Sequence, residues 1–129
     1  MPNVVVDASV LVDLLARTSL AASVAVRLRG TALHVPAHFD AEVLSALGRM
    51  HRAGQLSERQ VGGGLRRLRT LPLTRHLLGH LVAGAWRRRD SHQLADALYV
   101  ELAEQLDAPL LTTDLRLARA SDRAEAITE

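Results

Sequence analysis

The chain contains no cysteine and no lysine, and its only aromatic residues are Phe39, Trp86 and Tyr99. Without cysteine there is no disulfide framework, no thiol nucleophile and no thiolate zinc site, which fits a reducing cytoplasm. Without lysine, all 16 basic side chains are arginine; a skewed genome composition explains that as well as function does. So few aromatics favour helices packed on short Val/Leu strands over an aromatic-rich β-sandwich. No apolar run is long enough to span a bilayer. The first residues also lack the basic and apolar regions of a secretory signal. These absences predict a soluble, cytoplasmic protein.

What is present is a chain of 129 residues, 48% of them apolar, which suits one domain with one core. Net charge is +2 but unevenly spread: residues 1–48 carry −1, residues 49–89 carry +9 and residues 90–129 carry −6. A basic middle segment beside acidic flanks is what a nucleic-acid enzyme requires, because arginine holds phosphates and carboxylates hold metal.

Hydrophobic periodicity then divides the chain. Val4-Val5-Val6 reads as a short buried strand ending at Asp7, and Val10, Leu11, Leu14 and Leu15 continue it as a helix. A second helix is expected over 19–28, stopped by Gly30, and a strand over 33–35, closed by Pro36. Phe39, Val43, Leu47 and Met50 stripe a helix over 37–53. Ser57-Glu58-Arg59-Gln60 is a capping box, and the helix it opens contains Gly62-Gly63-Gly64, which predicts an irregular or kinked segment. A third strand is expected over 71–74, then a helix to about Trp86, then a long helix capped by Asp90 or Ser91 and reaching Gln105. Residues 109–112 form a fourth strand, 115–120 a short helix and 126–128 a last strand. Short strands alternating with helices imply right-handed crossovers and a parallel sheet, hence the α/β class.

Four acids stand out. In open parallel sheets ligands bind beyond the carboxyl ends of strands, where Asp7 and Asp114 both fall. Each reads equally well as a helix N-cap, and a capping carboxylate still keeps free lone pairs. Asp96 shares a helical face with Tyr99, Val100 and Ala103, while Gln93, Glu101, Glu104 and Gln105 lie mostly elsewhere. A charge beside an apolar face needs compensation, either a structural arginine or a metal. Glu42 sits at the edge of its helix's stripe, in line with Ala46 and Arg49, and taken alone reads as a solvated glutamate. Together, four acids at one sheet edge repel one another unless a cation neutralises them. All-oxygen ligation suits Mg²⁺ or Mn²⁺.

Other motifs carry less. His76 and His80 have two-His spacing without a third ligand and read as solvated; His38 and Glu42 share the spacing and the same shortfall. Arg87-Arg88-Arg89 and Arg66-Arg67-x-Arg69 read as solvated faces, with phosphate contact as a second role. The triple glycine lacks the Lys-Ser/Thr of a P-loop and does not follow a strand.

Taken in order, Val4-Val5-Val6-Asp7-Ala8-Ser9, the Glu42 helix with Gly54-Gln55-Leu56-Ser57, the run Leu94 to Ala103 and Leu110-Leu111-Thr112-Thr113-Asp114 with Leu117-Ala118-Arg119 resemble PIN domains, in particular VapC-type toxins of prokaryotic toxin–antitoxin pairs. The likeness covers essentially residues 1–129 as a single domain. It implies a three-layer α/β/α sandwich around a parallel, roughly five-stranded sheet, and Mg²⁺- or Mn²⁺-dependent endoribonuclease activity. It also implies silencing by a cognate VapB-type antitoxin, and homodimers. By position, Asp7 and Asp96 would be the principal metal ligands, with Asp114 and Glu42 completing a catalytic set and Ser9 and Thr112 orienting it. Many members carry a further acid just after the last motif aspartate; here Leu117 occupies that neighbourhood, so one ion is expected rather than two.

Two rival readings remain. A phosphatase or receiver acting through Asp7 needs a basic residue, normally lysine, late in the fold, and the phosphatase also needs an aspartate where Ser9 stands. A catalytically silent binding module would keep the fold without turnover.

Overall fold

Val4, Val5 and Val6 are 2%, 0% and 0% exposed, so neighbouring side chains on both faces of the first strand are covered. Only a sheet with helices on both sides does that. The computed structural model describes residues 1–129 as β1 (Asn3–Val6), α1 (Ala8–Leu15), α2 (Ala21–Leu28), β2 (Ala32–Pro36), α3 (Phe39–Arg52), α4 (Glu58–Thr70), β3 (Leu73–His76), a 3₁₀ turn (Leu78–His80), α5 (Val82–Arg87), α6 (Leu94–Leu106), β4 (Leu110–Thr112), α7 (Leu115–Ala120) and β5 (Ala124–Ala126). The five strands are all parallel, in the order β3-β2-β1-β4-β5. Helix α1 packs with α2, α3 and α4, while α6 packs on β1 and β2 with α5 against it. No helix is long and apolar enough to cross a membrane.

From β1 the chain builds outward through β2 and β3, then returns to the other side of β1 to lay down β4 and β5. The direction of winding therefore switches between β1 and β4, the place where open α/β sheets present a crevice. Register pairs Val5 with Leu110 and Val6 with Leu111, bringing Asp7 and the residues after Thr112 to the same edge.

Several boundaries differ from expectation. The third strand is Leu73–His76, not 71–74, because α4 runs to Thr70 and Pro72, which has no N–H, separates helix from strand. The last strand is Ala124–Ala126, not 126–128: a tight turn in which Ala124 N–H donates to Ser121 O starts it early. Neither Asp90 nor Ser91 caps α6. Ser91 instead closes the turn after α5 by bonding Arg88 O, and Gln93 holds the N-cap position without a side-chain bond.

Ser57 and Gln60 form the expected reciprocal capping box. The helix it opens is continuous, not broken at its three glycines. A Cβ on Gly64 would lie 3.6 Å from Leu15 and 3.7 Å from Leu47, so the bare backbone lets α4 sit close on α1 and α3.

Candidate active site

Asp7 is the N-cap of α1 and is 6% exposed. Its carboxylate accepts from three neutral donors and no cation. Ser9 Oγ donates to Oδ1, Thr112 Oγ1 donates to Oδ2 at 2.7 Å, and Val10 N–H reaches Oδ1 at 3.4 Å. Behind those hydroxyls stand backbone amides of the β4–α7 loop. Thr113 N–H donates to Ser9 Oγ at 3.1 Å, and Asp114 N–H donates to Thr112 Oγ1 at 2.9 Å. The loop after β4 thus holds the carboxylate after β1 in one orientation. Burial pushes Asp7 up to about 6, against the hydroxyl and amide bonds that favour its charge; the nearby Asp96 adds to the rise.

Asp114 caps α7, accepting from Arg116 N–H at 2.9 Å, and its side chain is 38% exposed. The capping and functional readings are therefore compatible. Asp96, 20% exposed, meets an arginine: Arg116 Nη2 lies 2.9 Å from Asp96 Oδ2 and 3.2 Å from Asp114 Oδ2. The structural-arginine reading of Asp96 is thus realised, though by a side chain that is itself 58% exposed.

Glu42 accepts a 2.6 Å hydrogen bond from Tyr99 Oη at Oε1. Burial, then this bond, hold the phenol protonated far above its usual range. His38 Nε2 also faces Glu42 Oε1, at 3.4 Å, and lies 3.1 Å from Ala95 O. The His38–Glu42 spacing therefore does bring those two side chains together. His76 and His80 do not pair as a solvated couple: His76 Nε2 lies 2.9 Å from His34 Nδ1 across β2 and β3.

Asp7, Glu42, Asp96 and Asp114 line one cavity of about 370 Å³, together with Ser9, Arg49 and Tyr99. A fifth acid, Asp13, shares it. Asp13 accepts from Thr113 Oγ1 and Thr18 Oγ1, each at 2.6 Å, and no local pattern in the sequence singles it out. Leu117, by contrast, is 1% exposed and belongs to the core.

As they stand, no three Asp, Glu or His side chains are disposed to hold an ion. The reasons are visible: Arg116 bridges Asp96 and Asp114, and two hydroxyls occupy Asp7. The donor chemistry nevertheless fits a hard divalent cation. It is all oxygen, and its most buried member is a carboxylate with no cationic partner.

Residues 4–123 match the family model for the PIN domain. The chain belongs to the PIN-domain family, and within it to the VapC ribonucleases. It is 63% identical to Ribonuclease VapC3 of Mycobacterium tuberculosis over 126 residues, covering 97% of this chain and 92% of that one. It is 39% identical over 117 residues to Ribonuclease VapC12 of the same organism, 91% of each chain. Among solved structures it resembles a chain of a toxin–antitoxin complex from Klebsiella pneumoniae, with a TM-score of 0.71, 15% identity and 98% of both chains covered, a likeness of fold.

Proposed function

We propose that residues 1–129 act as a single domain that hydrolyses RNA phosphodiester bonds as a Mg²⁺- or Mn²⁺-dependent endoribonuclease toxin. The observation that carries this reading is the gathering of five carboxylates in one cavity at the sheet's switch point, in a chain 63% identical to a ribonuclease. Asp7 and Asp96 are the principal ligands of the ion. Asp114 and Glu42 complete the catalytic set, and Asp13 stands beside it.

A divalent ion bound there would acidify a water and offset charge on the attacked phosphoryl group. The chain's own residues do the rest. Ser9 and Thr112 fix the orientation of Asp7. Tyr99 engages Oε1 of Glu42, which leaves Oε2 to accept a proton. Arg49, in the cavity wall and outside every ion pair, would hold a phosphate of the scissile strand. Single-stranded or looped RNA suits so open a site.

The same reading makes the protein cytoplasmic, homodimeric and neutralised by a cognate VapB-type antitoxin. Exposed Val82, Trp86 and Leu94 offer apolar surface for such contacts.

Incubation of total RNA with the purified protein and Mn²⁺ tests the reading. Cleavage is expected, abolished by chelator and reduced at least about 100-fold in Asp7→Asn and in Asp96→Asn. Metal-dependent cleavage that survives either substitution would overturn the assignment of that residue. No cleavage under any divalent ion would leave a silent module.

A further inference from the structure

A second cavity, of about 380 Å³, opens at the far end of α1 from Asp7. Arg17, Arg59, Arg66 and Arg67 line it with Leu15, Ala16, Leu56, Gln60, Gly63 and Gly64, and no acid is among them. Five other arginines of the chain, at 27, 75, 88, 116 and 123, each meet a carboxylate within 4 Å. None of these four does. Four guanidiniums held around one hollow repel one another, and a low-dielectric wall beneath them focuses their field.

The local geometry keeps them there. Arg17 follows the C-cap of α1 with φ of 56°, a left-handed conformation that non-glycine residues rarely adopt. Arg66 folds back along α4 over bare backbone: a Cβ on Gly62 or Gly63 would lie 3.5 or 3.8 Å from its terminal nitrogens. This assigns the glycine run a second use beyond the close approach of Gly64.

We propose that this arginine cavity is a binding subsite for the phosphate backbone of the RNA strand, a few nucleotides from the bond that is cut. The inference rests on the ribonuclease reading above. Two features favour RNA phosphate. First, α1 connects the two cavities: Asp7, Ser9 and Asp13 lie in one, Leu15 and Arg17 in the other, so Asp13 and Leu15, both within the helix, are only about 3 Å apart along the axis at 1.5 Å per residue. Second, the cavity has guanidinium forks suited to phosphate oxygens and no aromatic ring on which a base stacks. It therefore holds the strand without reading its sequence.

The test measures binding of a labelled oligouridylate to the full chain carrying Asp7→Asn, across a salt titration. Arg17→Ala with Arg66→Ala, Arg59→Ala with Arg67→Ala, and all four together are compared with the parent. All four side chains are exposed, so melting points are expected to stay level. The slope of log affinity against log salt is expected to shrink by about 0.7 for each phosphate that is no longer held. A control pair, Arg29→Ala with Arg119→Ala, lies outside the cavity and is expected to leave the slope in place.

An unchanged slope in the fourfold variant overturns the subsite, as does an equal fall in the control pair. Unchanged RNA affinity with loss of antitoxin binding overturns it in favour of an acidic protein partner. Cleavage by the chain with Asp7 intact is scored separately. Cleavage with an unchanged slope removes the subsite alone, whereas a reduced slope without cleavage removes the ribonuclease reading and leaves the phosphate site standing.

Discussion

Two carboxylates of this fold, Asp7 and Glu101, are equally buried at 6% exposure, but different donors face them. Glu101 lies on α6 against α5, where Arg88 Nη1 pairs with Oε1 and Gln105 donates to Oε2 at 2.7 Å. Burial alone would push Glu101 up; the Gln105 bond and the Arg88 guanidinium outweigh it and hold the carboxyl below its usual range. Asp7 has hydroxyls and an amide, and no cation. One charge is completed by a cation inside the chain, the other meets neutral donors alone. That contrast separates a structural acid from a candidate ligand more sharply than burial does.

The largest expected effect on stability comes from breaking the completed pair. Gly84 exists for it: a Cβ there would lie 2.1 Å from Glu101 Oε1, and Arg88 Nη1 also donates to Gly84 O at 3.0 Å. Glu101→Ala strands the Arg88 charge and opens a gap between α5 and α6, and is expected to cost roughly 2–4 kcal/mol by denaturant melt. RNA cleavage per folded molecule is expected to stay level. A loss of cleavage without a loss of stability would mean that Glu101 belongs with Asp7 after all.

The acid without a cationic partner behaves in the opposite way. Its carboxyl is raised from 3.8 to about 6 in the folded protein, so ionising it opposes folding when no metal is bound. The stabilising effect of the neutral form is fully present below pH 3.8 and is lost as pH rises through about 6. Metal-free Asp7→Asn is therefore expected to be more stable than the parent at neutral pH, by up to about 3 kcal/mol at 1.36 kcal/mol per pH unit. The gap should close as pH falls toward 4, followed by urea titrations across the range. A variant no more stable than its parent at neutral pH would mean that the hydroxyls satisfy Asp7 fully.

The sequence shows one side of this contrast and conceals the other. Asp7 directly follows β1 and Asp114 stands two residues beyond the end of β4, so the parallel-sheet rule finds them. Asp96 betrays itself by standing beside apolar neighbours on its helix. Glu101 escapes because the helical pattern assumes one covered face. In α6 the residues from Tyr99 to Ala103 are all buried, since β1 and β2 cover one side and α5 another. For the same reason Arg88 reads as solvated with Arg87 and Arg89; its only sequence signal is Gly84, four residues earlier. Asp13 escapes because its partner Thr113 lies 100 residues away, across the sheet. Glu42 needs the family resemblance, as its anchor is a tyrosine 57 residues on. Local pattern identifies acids beside their own element's strand or stripe, but not those completed by a distant element.

The smallest expected effect tests the pair that lies between these extremes. Arg116 neutralises Asp96 and Asp114 as Arg88 neutralises Glu101, but its side chain is 58% exposed against 24% for Arg88. Exposed pairs are weak and screened, so a guanidinium bound in this way yields its place to a stronger cation. Arg116→Ala is expected to tighten Mn²⁺ binding about two- to fivefold, the range of a surface ion pair, by calorimetric titration at fixed ionic strength. Melting of the metal-free protein should change little, in contrast to Glu101→Ala. Weaker Mn²⁺ binding in the variant would show that Arg116 organises the two aspartates for the ion. The line between a completed acid and a waiting one would then fall on the far side of Asp96, leaving Asp7 with Asp13 and Glu42 as the cavity acids that meet no arginine.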